Sequence, residues 1–392
     1  MKISQTELAH QDSAWPFIYR LIRDYAADRL SDLELSSMPE LAVLEAFCER
    51  HRIAPLVATQ MLKSPDSLPA SVKDWLSRSY LANVCQVLDQ TAATRRLMAH
   101  PHCPHFKLLK GLGIASIAYR HPADRHAGDI DLLLDNRHQV EAVEAIISAQ
   151  GYSHSPYDTH YEFGRQIQKL YFYLTKENTW IEPDGKWRLE IHWASPDRGI
   201  FPAFMQERNH YRSAPTLAHH DVLKTPQLFV YLCSHGSRFG WARLKWLLDL
   251  YLLLHQLTAE DWREICVLCE REQLRDHLQI ALCLLTLYLP DSRAKIPAHL
   301  PTISAKSWLV QYCLSRINQK ELNAPSTIKD ALYRSSLGNA KQRRHAVAKI
   351  LIRTQDYSRY QGPLLLAILS APLVRPISLV WRKALRPVLK RR

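Results

Sequence analysis

Residues 127–135 read Ala-Gly-Asp-Ile-Asp-Leu-Leu-Leu-Asp, and the six from Asp129 to Leu134 decide the fold. Two acids separated by one apolar residue and followed by three leucines read as a strand that begins polar and ends buried. On a strand, residues i and i+2 point to the same side. Asp129 and Asp131 therefore emerge on one face, about 6.6 Å apart at Cα from a rise of roughly 3.3 Å per residue.

Upstream, Phe-Lys-Leu-Leu-Lys at 106–110 is a second strand candidate, and a helix is expected over 114–120. Downstream, Val140, Val143 and Ile147 recur at helical spacing, and Gly151 stands where a helix C-cap wants a residue without Cβ. Two more strands are expected at 167–175 and 187–193, as antiparallel neighbours. Pro183-Asp184-Gly185 should turn the chain between them.

Both flanks are helical. Before residue 100, Leu76, Tyr80, Val84 and Leu88 recur every four residues and predict one apolar helix face, with nothing that reads as chemistry. After 226 a dense apolar and aromatic run opens a further series of helices. The expected class is α+β: a helical region over 1–100, a mixed sheet with helices over 101–225, a helical domain over 226–340 and a basic apolar tail over 341–392. At 392 residues the chain exceeds the roughly 250–300 that a single core serves.

The net charge of +13 is local. From residue 341 onward thirteen Lys and Arg face one acid, Asp356, which leaves the preceding 340 residues close to neutral. That excludes a body coated in nucleic-acid-binding charge and points the tail toward an anionic surface. The apolar run from Pro363 is broken by Pro372, Arg375 and Pro376, well short of the roughly 20 residues of a spanning helix. It is expected to lie on an anionic membrane surface or to pack on the body, with nucleic acid as the third alternative. Eight scattered cysteines and an N-terminus lacking a basic start before an apolar run fit a reduced, cytoplasmic protein, peripheral at the inner membrane face if the tail binds lipid. Cys266 and Cys269 form a CxxC without a second pair at zinc spacing and read as ordinary thiols.

Two carboxylates on a rigid strand suit Mg²⁺, with Mn²⁺ as a substitute, because this hard ion takes one or two carboxylates and fills its shell with phosphate oxygens and water. Glu190, on the 187–193 strand with His192 on its own face, is the candidate third acid. Lys110-Gly111-Leu112-Gly113 follows a strand and precedes a helix, so its glycines would let backbone approach phosphates, with Lys110 and Arg125 neutralising them. Taken singly, each feature also reads as a solvated strand end or a wet edge face.

In this order, Lys-Gly, then Arg125 with Asp-Ile-Asp, then Leu-Glu-Ile-His-Trp, then Leu-Cys-Ser-His-Gly-Ser-Arg-Phe-Gly-Trp-Ala-Arg-Leu-Lys-Trp-Leu-Leu-Asp-Leu, the chain resembles the uncharacterised nucleotidyltransferase family of the polymerase-beta-like nucleotidyltransferase superfamily. The similarity spans about 106–254. It implies a small mixed sheet with metal-bound Asp129 and Asp131, Glu190 as third carboxylate, and transfer of a nucleoside monophosphate from ATP or another nucleoside triphosphate. His235, Arg243, Trp246 and Asp249 match the family pattern too, and Arg243 with Asp249 also reads as a structural ion pair. The wider superfamily's Gly-Ser turn is Gly111-Leu112 here.

The reading is a Mg²⁺-dependent nucleotidyltransferase in which Asp129, Asp131 and Glu190 are catalytic and bind metal. Lys110, Gly111, Gly113, Arg125 and His192 then contact the nucleotide. The acceptor is a small molecule, a sugar, a protein side chain or an RNA end, with the near-neutral body arguing against RNA. The alternative is a nucleotide-binding scaffold without catalysis, recruited to a membrane by residues 363–392.

Overall fold

The computed structural model describes residues 14–31, 35–155, 175, 177–193, 202–214, 220–319, 328–338, 340–351, 366 and 369–370. Its strands are β1 (Lys107–Leu108), β2 (Asp129–Leu134), β3 (Ser153–His154), β4 (Glu177–Ile181), β5 (Arg188–Trp193), β6 (Tyr211–Ala214) and β7 (His220–Leu223). They form one mixed sheet in the order β3-β4-β5-β2-β1-β7-β6. The fold is α+β, as the sequence predicts.

The decisive strand lies at the centre. β2 runs parallel to β5 along its whole length, from Asp129 opposite Arg188 to Leu134 opposite Trp193, and antiparallel to β1 on its other edge. Ile130 and the three leucines are buried because neighbours flank both edges and helices cover the faces. The parallel partner requires a crossover. It begins with a helix at His138–Ala149, whose Val140, Val143 and Ile147 are buried. That helix ends in a Schellman cap: Gly151 takes φ +87°, its N–H bonds Ser148 O, and Tyr152 N–H bonds Ile147 O.

The segment 167–175 lies outside the described residues except for Thr175. The strand that enters the 183–185 turn is β4, paired antiparallel with β5. The turn closes with Gly185 N–H on Glu182 O at 2.8 Å.

We number the helices α1 (Trp15–Ala26), α2 (Leu41–His51), α3 (Ala54–Met61), α4 (Ala70–Met98), α5 (Leu112–Ala118), α6 (His138–Ala149), α7 (Thr225–Arg238), α8 (Leu244–Leu254), α9 (Ala259–Arg271), α10 (Arg275–Tyr288), α11 (Trp308–Ile317), α12 (Ile328–Ser336) and α13 (Ala340–Leu351). On α4 the expected stripe fails at its end, since Leu76 is buried but Leu88 is 63% exposed. Steps of four advance 400°, so each drifts about 40° from a 3.6-residue helix. The buried face instead follows Leu76, Asn83, Val87, Gln90, Thr94 and Leu97.

That face carries amides for a reason. Asn83 Nδ2 donates to Ala123 O at 2.7 Å and Arg125 O at 3.0 Å, and its Oδ1 accepts from Ala127 N–H at 2.8 Å. Gln90 donates to Gly128 O at 2.9 Å, and Gln86 to Ala127 O at 3.1 Å. The irregular 123–128 segment has no ladder of its own, and α4 satisfies its buried polar groups. The N-terminal helices thus aim the chain that enters β2.

Cys266 and Cys269 lie on α9, the first half-buried and the second buried, and burial pushes both thiols up. Most of the tail beyond 351 is outside the described residues. No helix among the described residues is long and apolar enough to cross a membrane.

Candidate active site

The register of β2 on β5 sets the geometry, because Asp131 faces Glu190 across the parallel pair and Asp129 faces Arg188. Glu190, His192 and the cross-strand Glu177 share that side of the sheet, Glu177 lying opposite His192 on β4. Lys110 leaves β1 and places Nζ 2.6 Å from Asp131 Oδ1 and 3.8 Å from Glu190 Oε2. His192, fully buried, sets Nε2 2.9 Å from Asp131 Oδ1 and 3.4 Å from Glu190 Oε2, with Nδ1 3.2 Å from Glu177 Oε2.

These contacts divide the acids. Burial opposes ionisation of Asp131, but the Lys110 ammonium and His192 override it and hold the carboxyl well below the usual carboxylate range. Glu190 moves the other way, raised by burial and then by the Asp131 charge despite its hydrogen bond from His192. Lys110 keeps its proton, since Asp131, Tyr231 and the glutamates outweigh its own burial.

One ligand atom each from Asp131, Glu190 and His192 lies within 4.8 Å of the others, a spacing a single ion can bridge. Lys110 Nζ already stands as a cation on these carboxylates. The two acids supply the hard oxygens that Mg²⁺ prefers, so the residues fit the ion. Asp129, expected as a co-ligand, does not join this compact group. It sits one step out on the strand, at the half-exposed end, with an arginine rather than a carboxylate across from it.

Three residues expected at phosphates have other engagements. Gly111 takes φ +54°, and a Cβ there would meet Asp129 O at 2.7 Å. A Cβ on Gly113 would meet Leu108 O at 3.1 Å, and Gly113 N–H is spent on Lys110 O at 2.9 Å. Both glycines are thus required by backbone packed on backbone. Arg125 binds Asp249 through two parallel bonds, Nε–Oδ1 at 2.8 Å and Nη2–Oδ2 at 2.9 Å, with Asp249 fully buried. Tyr119 Oη donates to the same carboxylate at 2.8 Å. Asp249 therefore pairs with Arg125 and not with Arg243.

Sequence reading passed over Glu177, whose strand begins two residues beyond the expected segment, and the close of α2. There Arg50 donates to Gln319 O at 2.7 Å and Ala242 O at 2.8 Å, while His51 Nδ1 accepts Leu244 N–H at 3.2 Å at the start of α8. Burial, then Arg50 and Arg243, push the His51 imidazole down to about 3, so it stays the neutral acceptor this bond needs. Arg52 follows in a left-handed conformation, φ +55°, and reaches toward Gly128. The only clue in sequence was three basic residues, Arg50-His51-Arg52, closing an apolar helix.

A family model described as an uncharacterised nucleotidyltransferase matches residues 40–290, well over half of the chain, and the chain belongs to that family. The match extends beyond 106–254 to take in α2, α3 and α4. No curated protein and no solved structure matches the chain.

Proposed function

We propose that this member of the nucleotidyltransferase family moves a nucleoside monophosphate from ATP or another nucleoside triphosphate to a hydroxyl-bearing acceptor. The observation that supports this is the convergence of Asp131, Glu190 and Lys110 from three adjacent strands or strand ends onto one side of the sheet. Asp131 and Glu190 would hold Mg²⁺, with Mn²⁺ as a substitute and Asp129 the next acid along the strand. When bound, such an ion neutralises charge on the transferring phosphoryl group.

The protein's own residues supply the rest. Glu190, its carboxyl raised by burial and by the Asp131 charge, completes the metal site or takes the acceptor's proton, while Asp131 stays ionised beside it. The acceptor oxygen forms a bond to the α-phosphorus, the bond from that phosphorus to the oxygen bridging the α- and β-phosphates breaks, and pyrophosphate leaves carrying that oxygen. Lys110 steadies the carboxylates and meets the incoming negative charge. Arg125 acts as a positioning residue, tying the 123–128 segment to α8 through Asp249.

The test incubates wild type and Asp131→Asn with Mg²⁺ and each labelled nucleoside triphosphate, alone and with cell extract. Pyrophosphate release and labelled product from wild type only are expected. A folded Asp131→Asn protein that still transfers label would sink the assignment.

A further inference from the structure

The outer end of β2 carries a different set of charges. Arg52 brings Nη1 to 3.2 Å from where a Cβ on Gly128 would stand. Arg243 is the residue before α8, and Lys245 lies in that helix's first turn. Lys245 is only 6% exposed. Its ammonium makes no hydrogen bond and no ion pair with any described residue, and the same holds for the Arg52 and Arg243 guanidinium groups.

The acids near them do not balance this. Asp249 is already held by both arms of Arg125. Asp129 is the carboxylate whose field reaches both Arg52 and Arg243. Burial, then the charges of Arg125 and Arg52, drive the Lys245 ammonium far below its ordinary range. His126, whose Nδ1 is buried without a partner, is pushed down to about 2 by burial and then by Lys245 and Arg52. A cation held away from water without a counter-charge is costly, and a bound anion would supply that charge.

The position narrows the anion. The cluster borders Gly128 and Asp129, and Arg125 Nη1 links it to Gly111 O at 3.5 Å. Two residues farther along the same strand face stands Asp131 with its carboxylate partners. A ligand serving both ends is linear and multiply charged. We infer that Arg52, Arg243 and Lys245 seat the two outer phosphates of the donor triphosphate, so that pyrophosphate leaves from a cation cluster shared by α2 and α8. This rests on the nucleotidyltransferase reading for the identity of the ligand, while the adjacency of Arg52 to Arg243 and Lys245 stands on the His51–Leu244 hydrogen bond, 3.2 Å, that joins the two helix ends.

The experiment titrates the full chain with inorganic tripolyphosphate in EDTA by calorimetry, for wild type, Lys245→Met, Arg243→Gln and Asp131→Asn, and records each free protein's melting temperature. Wild type should bind, and Lys245→Met and Arg243→Gln should each weaken binding about tenfold or more, the usual scale for a hydrogen bond to a charged group. Lys245→Met should melt at or above wild type, since it removes an unpaired buried charge, which separates a binding role from a structural one. Asp131→Asn should bind within a few fold of wild type. Wild-type affinity in both cation variants, or no binding by wild type, overturns the inference. If Asp131→Asn still transfers nucleotide while the cation variants lose tripolyphosphate, the catalytic assignment falls and the anion seat stands.

Discussion

Two ends of one strand face handle charge in opposite ways. At Asp131 every charge has an internal partner: Lys110 and His192 meet the Asp131 carboxylate, and His192 also faces Glu190 and Glu177. At Asp129 the cations outnumber the acids, and Lys245 is buried without a hydrogen bond or ion pair among the described residues. The first end is preorganised by its own side chains. The second is complete only when an anion joins it. A folded chain tolerates such an imbalance because the neighbouring Arg125–Asp249 pair and the α4 amides secure the surrounding backbone.

The largest break in this contrast should come from Asp249→Asn. It would leave Arg125 buried beside three other cations, and breaking such a pair costs roughly 3–5 kcal/mol; denaturant unfolding would read the loss, and a change below about 1 kcal/mol would show that the pair is not structural. Gly111→Ala comes next, at about 1–3 kcal/mol, because it forces a Cβ onto Asp129 O at a positive φ. Its melting curve against wild type would settle the point, and no shift would mean the turn can move.

His51→Ala removes the acceptor for Leu244 N–H and should cost about 0.5–2 kcal/mol, the range for a lost helix cap. Because it loosens α8 at Arg243 and Lys245, tripolyphosphate affinity should fall with it, and unchanged affinity would uncouple the cap from the cation cluster.

The smallest effect is a matter of pH. Glu190 is raised above its ordinary 4.5, so its proton favours the fold fully below pH 4.5 and that contribution is lost as pH climbs through the folded value. Asp131 has the opposite sign, contributing above 3.8 and losing that only as pH falls below it. Glu190→Gln should therefore match wild type at pH 4 and exceed it at pH 7 in EDTA, as measured by chemical denaturation. A stability difference independent of pH would mean Glu190 does not carry the cost of the acidic end.

Much of the site was legible because strand arithmetic is local. The i, i+2 rule put Asp129 and Asp131 on one face, and the same rule aligned Glu190 with His192. Where reading failed, the partner was distant in sequence. Arg125 reads as a cation to neutralise phosphates, yet its guanidinium is held by Asp249, 124 residues away. Leu88 fits a stripe of fours on paper and is exposed, because the true helix turns in 3.6.

By itself the sequence determined the α+β class, the central strand with its two acids, the crossover helix with its glycine cap, and the family resemblance. These follow from periodicity and residue type over a few neighbouring positions. Only the tertiary structure decided which acid meets Glu190, that Arg125 is spent on Asp249, and that Arg52 from the N-terminal helices reaches the strand that opens the site. Those outcomes depend on strand register and on charges brought together from far apart in the chain, and no local pattern encodes either one.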